Sequence, residues 1–256
     1  MSSPEPDAPP LAIVVGAGGS FGTAIVAALV EAGQRVIGVG RDVSAMTHLA
    51  LRHGEGFRAV AADIASDDAV ATIGAAITGP VSMVVHAPGV PVAGGIRAAP
   101  TAALVEACNI KVGGFVRLIR AAEPWLRKGS RLVAVGGHYG FEPTAYAATA
   151  GIANAAIASA VKQLSWAYGE LGITAHLVAP GPADTARLHG IAAGRAKQLG
   201  VTEADVLAEM RSESAIGAFA TPEQVAWTIA LLLDPRADAM AGSTIMVDAG
   251  RRRAIA

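Results

Sequence analysis

The chain has 256 residues, 52% of them hydrophobic and 16% charged, with a formal net charge of −1. So much apolar surface excludes a disordered chain, and the balanced charge excludes an electrostatic footprint for nucleic acid or an anionic membrane. Every apolar run is interrupted before the ~20 residues that a bilayer crossing needs, and the lone Cys108 rules out an intramolecular disulfide.

The opening residues 1–10 carry four prolines and two acids and read as a disordered arm, with no secretory signal. A reducing cytoplasm is therefore the expected location. Residues 11–15 follow as a short apolar run ending at glycine, which suits a parallel strand buried on both faces. Further strands are predicted at 35–39, 58–61, 81–86, 131–135, 173–178 and 244–247, and helices at 22–31, 67–77, 101–126, 145–169 and 222–233. The last helix has Thr221 as N-cap and Pro222 at its first position. This alternation predicts a single-domain α/β fold over 11–250, a doubly wound, Rossmann-like parallel sheet with helices on both faces. The segment 184–220 is too long for a simple connection and is expected to be a substrate lid, while 251–256, with its three arginines, reads as a solvated basic tail.

Gly16, Gly19, Ser20, Phe21 and Gly22 lie between the first strand and the first helix. Glycines there let the chain turn tightly and approach a pyrophosphate, whose charge the helix amides meet. Strand two ends at Arg41 and Asp42. An arginine there can meet the 2′-phosphate of NADP and an acid can hold the ribose diol of NAD, so NADP is favoured and NAD stays open.

Taken together, these segments make the chain resemble a short-chain dehydrogenase/reductase over nearly its whole length. The glycine turn is similar to the family's, with Val15 and Ser20 departing from it, and Asp63-Ile64 matches the adenine-contacting acid segment. Ala87-Pro88-Gly89 stands at the next cofactor segment, Asn109 matches the active-site asparagine, and Pro180, Gly181 and Thr185 match the segment that flanks the nicotinamide. The resemblance implies a homodimer or homotetramer formed through two long helices rich in small residues.

The catalytic carry-over is incomplete. Tyr146 is taken as the family tyrosine, but Ala150 stands where a lysine is expected one helical turn later, and Gly136-Gly137-His138 offers no serine hydroxyl. Lys162 would lie roughly 24 Å along the helix, and Lys111, two residues from Asn109, is expected on another helix face. A phenol near pKa ~10 is a poor base at neutral pH but already carries a proton to donate. The expected activity is therefore NADP(H)-dependent reduction of a small-molecule carbonyl substrate, with Tyr146 as donor, Asn109 as local support and His138 or nearby amides polarising the carbonyl. A non-redox enzyme (lyase, isomerase, dehydratase or cyclase) on the same scaffold and a catalytically silent partner subunit stay open as alternatives. The histidines show no metal-ligand spacing, and no metal is expected.

Overall fold

The computed structural model describes residues 9–254. Seven parallel strands form one sheet: β1 (Leu11–Val15), β2 (Arg35–Gly40), β3 (Phe57–Ala61), β4 (Val81–His86), β5 (Leu126–Val135), β6 (Thr174–Pro180) and β7 (Thr244–Val247). Their order, β3-β2-β1-β4-β5-β6-β7, reverses direction at β1 and β4. In such a sheet the crossovers leave to opposite faces at that point, and a crevice opens beyond the carboxyl ends of the strands. The doubly wound architecture read from the sequence is the one observed.

Strand β1 shows why these residues form a central strand. Leu11, Ile13 and Val15 join the core on one face and Ala12 and Val14 the core on the other, so the two-residue side-chain period buries both faces. Each fully buried aliphatic side chain contributes about 1.5–3 kcal/mol.

The helices are α1 (Ser20–Glu31), α2 (Thr47–His53), α3 (Asp68–Ala76), α4 (Thr101–Cys108), α5 (Gly114–Ala122), α6 (Ala148–Gly169), α7 (Ala186–Leu199), α8 (Glu203–Ser212) and α9 (Pro222–Leu231). Several differ from the sequence-based expectation. The short α2 was not foreseen. The helix expected over 101–126 is interrupted by a π turn at Asn109–Gly113 and stops before a 3-10 turn at Glu123–Trp125, where Pro124 has no N–H to continue the ladder. The helix expected from 145 starts at Ala148. There the Ala148 N–H donates to the Gly94 carbonyl, and the Ala145 carbonyl passes so close to Gly95 that any Cβ on Gly95 would collide with it.

The expected disordered arm, 1–10, lies outside the described residues except for Pro9 and Pro10, whose carbonyls accept from the Arg35 side chain and backbone. The 184–220 segment is a helical hairpin with a small core of its own, Leu188, Ala192, Ala196, Val206, Leu207 and Met210. Its two stems meet at a parallel bridge between Ala183 and Ala220. Of the three arginines after Gly250, Arg251 and Arg252 are drawn onto the fold, while Arg253 is exposed and held only through its backbone. Arg251 pairs with Glu213 and donates to the Met210 carbonyl, the Arg252 guanidinium lies over the Phe141 ring, and Arg253 N–H donates to Glu142.

Candidate active site

The crevice at the switch point has a volume of about 350 Å³ and is walled by the glycine turn, the 87–90 segment, the end of β5, and α6 and α7. Gly16 makes the turn at a φ of +83°, a left-handed conformation that glycine adopts without strain. Its N–H is held by the Val39 carbonyl at 2.8 Å, which ties the turn to β2. A Cβ on Gly22 would lie 2.1 Å from the Gly16 carbonyl oxygen, so α1 can leave the turn this closely only with glycine there.

What marks the start of α1 is its place at the crevice. Gly19 offers α1 no side-chain cap, as is also true at α2 to α6 and unlike the threonine-capped α7, α8 and α9, and no acid lies in its first turn. The first amides of α1 therefore open on the crevice unsatisfied, as an anion cradle requires. Gly19, Ser20, Phe21 and Gly22 line the crevice, as do Ala87, Pro88, Gly89 and Thr185.

The other expected cofactor residues sit nearby in the fold. Arg41 is exposed one residue beyond β2, while Asp42 turns its carboxylate back onto the Ser44 N–H at 2.8 Å; the Ser44 side chain first, and then that N–H, hold its pKa below the ordinary carboxylate range. Asp63 accepts from the Ala65 N–H at 3.1 Å, and Ile64 beside it is buried in the core. Gly181 N–H pairs with the Val247 carbonyl at 3.0 Å, which fixes Pro180 and Gly181 at the end of β6.

The expected catalytic residues are placed differently. Asn109 directs its amide away from the crevice, donating to the Ala65 carbonyl at 3.1 Å and accepting from Arg117 at 2.9 Å. Tyr146 lies before α6, is 45% exposed, and shares a hydroxyl hydrogen bond with Tyr139. Because it is not on the helix, it does not share a face with Ala150. The His138 ring is buried against Tyr139 and its Nε2 has no partner among the described residues. Burial first, then Arg251, pushes its pKa down to about 4, so the ring is neutral at pH 7. Burial, and then the bond to Tyr146, raises the Tyr139 phenol.

Two crevice residues were not anticipated. Lys111 is 4% exposed, and its ammonium donates to the Val135 carbonyl at 2.7 Å. Burial first, then the nearby Arg187, lowers its pKa to about 8. Lys111 and Asn109 do face different ways, as the sequence suggested, but the crevice side belongs to the lysine. Asn154 is 6% exposed, and its side-chain oxygen has no partner among the described residues. A sequence signal existed for both. Lys111 falls in helical register with buried Ala107, Phe115 and Leu118, and Asn154 with buried Ala150, Ile157 and Val161. A polar residue on such a stripe needs a reason to be there.

With this geometry in hand, known proteins offer a comparison. A family model described as enoyl-(acyl carrier protein) reductase matches residues 16–252. The chain is 28% identical over 254 residues to the short-chain reductase protein NovJ of Streptomyces niveus, covering 94% of this chain and 93% of that one. Among solved structures it is similar to L-sorbose reductase from Gluconobacter frateurii complexed with NADPH and L-sorbose, with a TM-score of 0.89, 22% identity, and coverage of 97% and 98%. It is also similar to a variant of actinorhodin polyketide ketoreductase with NADPH, with a TM-score of 0.88, 20% identity, and coverage of 96% and 98%.

Proposed function

The chain belongs to the short-chain dehydrogenase/reductase family, and from that premise we propose that it is an NADP(H)-dependent reductase of a small carbonyl substrate. The observation that carries the reading is the uncapped start of α1, which opens on the crevice between glycines that leave no room for a side chain. The crevice also fits a dinucleotide chemically: it presents unsatisfied amides, two cationic side chains and an unpartnered buried amide oxygen, and no carboxylate. Gly16, Gly19, Ser20, Phe21 and Gly22 would hold the pyrophosphate, Asp63 and Ile64 the adenine side, and Ala87, Pro88, Gly89, Pro180, Gly181 and Thr185 the nicotinamide side. When bound, the reduced nicotinamide supplies a hydride.

The phosphate preference follows from the two neighbours after β2. Asp42 is engaged with the Ser44 N–H, whereas Arg41 is exposed and offers a planar set of donors suited to a 2′-phosphate. The L-sorbose reductase and ketoreductase named above were both solved with NADPH, which supports the same choice. Residues at the β5 end of the crevice orient the carbonyl, and the overlying α7 and α8 hairpin excludes water.

Val105 on α4 and Ile152 on α6 are exposed apolar residues, which supports a homodimer or homotetramer through those helices. The lone Cys108 suits a protein of the reducing cytoplasm. The test is a calorimetric titration of the purified protein with NADPH and NADH, followed by absorbance at 340 nm with small diketones, quinones and aldehydes. Tighter binding of NADPH and its oxidation by at least one carbonyl are expected. Binding of neither nucleotide sinks the reading.

A further inference from the structure

We propose that Lys111 is the catalytic acid of this enzyme, its ammonium giving a proton to the carbonyl oxygen in place of a tyrosine. The inference rests on the reductase reading above and adds the residue that reading lacks. Lysine is almost never fully buried unless it is paired, yet the Lys111 ammonium has no carboxylate in contact among the described residues. Its described partner is a single backbone carbonyl, that of Val135, which leaves two of its three N–H groups for the crevice it lines. A buried charge without a counter-charge is costly to the fold, so a purely structural origin accounts poorly for it.

The backbone around Lys111 supports the same conclusion. It sits within the π turn Asn109–Gly113, an irregularity that inserts a residue into the helical ladder and is frequent at functional sites. That turn separates the two polar side chains, sending Asn109 to the Ala65 carbonyl and Lys111 to the end of β5. The neighbouring Gly114 has its backbone against the His86 ring, where a Cβ would come within 2.8 Å, so the segment is seated tightly. Asn154 is an independent second observation. Its side-chain oxygen is buried and unpartnered in the same lining, ready to accept from a ligand hydroxyl. Tyr146, by contrast, is outside this lining and exposed.

The charged and titratable groups facing Lys111 are few. From β4 comes His86, buried and donating Nε2–H to the Ile110 carbonyl at 2.9 Å, with a pKa that burial lowers to about 3. From α7 comes Arg187, whose guanidinium donates to the Val90 carbonyl at 2.6 Å. β5 contributes a backbone carbonyl, and α6 contributes the neutral Asn154. The two cations make an electropositive end where an oxygen that gains negative charge is favoured.

In the step proposed, the carbonyl carbon gains the hydride of the reduced nicotinamide, which is thereby oxidised. One ammonium N–H bond breaks as the alcohol O–H bond forms, and the neutral amine regains a proton from water. With its pKa near 8, Lys111 is charged at neutral pH and close enough to that pH to transfer a proton efficiently.

The test combines three measurements on the full chain. Competitive acetylation followed by mass spectrometry reads Lys111 separately from the other three lysines. It should titrate near pH 8 in the wild type and be protected by NADPH. Lys111→Gln, which keeps an N–H for Val135, should still bind NADPH, weakened by no more than about tenfold by loss of one crevice charge. It should also lose at least about 100-fold in NADPH oxidation with diacetyl, phenanthrenequinone or 4-nitrobenzaldehyde. The wild-type reduction rate should fall above pH 8, and Lys111→Arg should shift that limb upward.

A Lys111→Gln enzyme within fivefold of the wild-type rate, or a Lys111 that titrates near 10.5 without protection by NADPH, overturns the proposal while leaving the reductase reading standing. Loss of activity in Tyr146→Phe with activity kept in Lys111→Gln makes the phenol the acid and overturns it too. Failure of the wild type to oxidise NADPH with any of the three probes overturns it as well. If the wild type binds no nucleotide at all, the reductase reading falls with it.

Discussion

The two ends of the crevice are built on opposite principles. At the glycine-turn end, function is stored in absence: no side chain on Gly16 or Gly22, no cap on α1, and backbone atoms closer together than a methyl group allows. At the β5 end stand a buried ammonium that the fold satisfies with one backbone carbonyl and a buried amide oxygen that it does not satisfy. The first end tolerates no added atom. The second should tolerate removal of the Asn154 oxygen, which has no partner among the described residues.

The contrast is broken most directly at Gly22. Gly22→Ala places a Cβ 2.1 Å from the Gly16 oxygen and 2.6 Å from the Ala17 Cα, both backbone atoms that cannot swing aside. A loss of about 3 kcal/mol is expected, together with loss of NADPH binding; urea denaturation and calorimetry read the two effects. A variant with wild-type stability and affinity would remove the argument from lack of space.

Next in size is Arg41→Gln. Charge-assisted hydrogen bonds are worth about 1.5–3 kcal/mol, so NADPH affinity should fall by roughly 10- to 100-fold while NADH affinity is unchanged. Equal losses for both coenzymes would move the 2′-phosphate contact elsewhere.

Asn154→Ala sharpens the other side of the comparison. Removing a buried oxygen that has no partner should change stability by less than about 1 kcal/mol, while affinity for NADPH drops about tenfold. A loss of stability above about 2 kcal/mol with unaltered affinity would make Asn154 a structural residue.

The smallest expected effect concerns the α7–α8 hairpin. His189 bridges Asp184 at 2.9 Å and Glu203 at 3.1 Å, and bonds first to Asp184 and then to Glu203 raise its pKa above the ordinary histidine value. Both ring nitrogens can donate only in the imidazolium form. A raised folded-state pKa means that the contribution is complete below the unfolded value of 6.5 and is lost as pH rises through the folded pKa. Amide exchange in α7 should be slower at pH 5.5 than at pH 8.5, after correction for intrinsic rates, and His189→Gln should abolish that difference.

The sheet was legible in the sequence because each central strand is a short apolar run closed by glycine or a polar residue, and the glycine turn was legible because its spacing follows a strand and opens a helix. The reaction end was less so, for identifiable reasons. A π turn adds one residue to a helix without any signature in composition, so counting in steps of 3.6 could set Asn109 and Lys111 on different faces and Lys111 on a buried stripe, but not say which of the two meets the crevice. Tyr146 and Ala150 seem one turn apart on paper only if the helix already includes Tyr146. The close passage of Ala145 against Gly95 is a tertiary contact, and it delays the helix to Ala148. The arginines after Gly250 look solvated by charge alone, and only the folded neighbourhood supplies Glu213 and Phe141.

Those arginines have a mechanical consequence. Arg251 reaches back to Met210 and Glu213 at the C-terminal end of α8, while Arg253 is hooked to Glu142, four residues past His138. One short stretch of chain thus works as a tie-rod between the end of α8 and the loop that follows β5. Swapping Arg251 for a neutral residue would therefore loosen both segments at once.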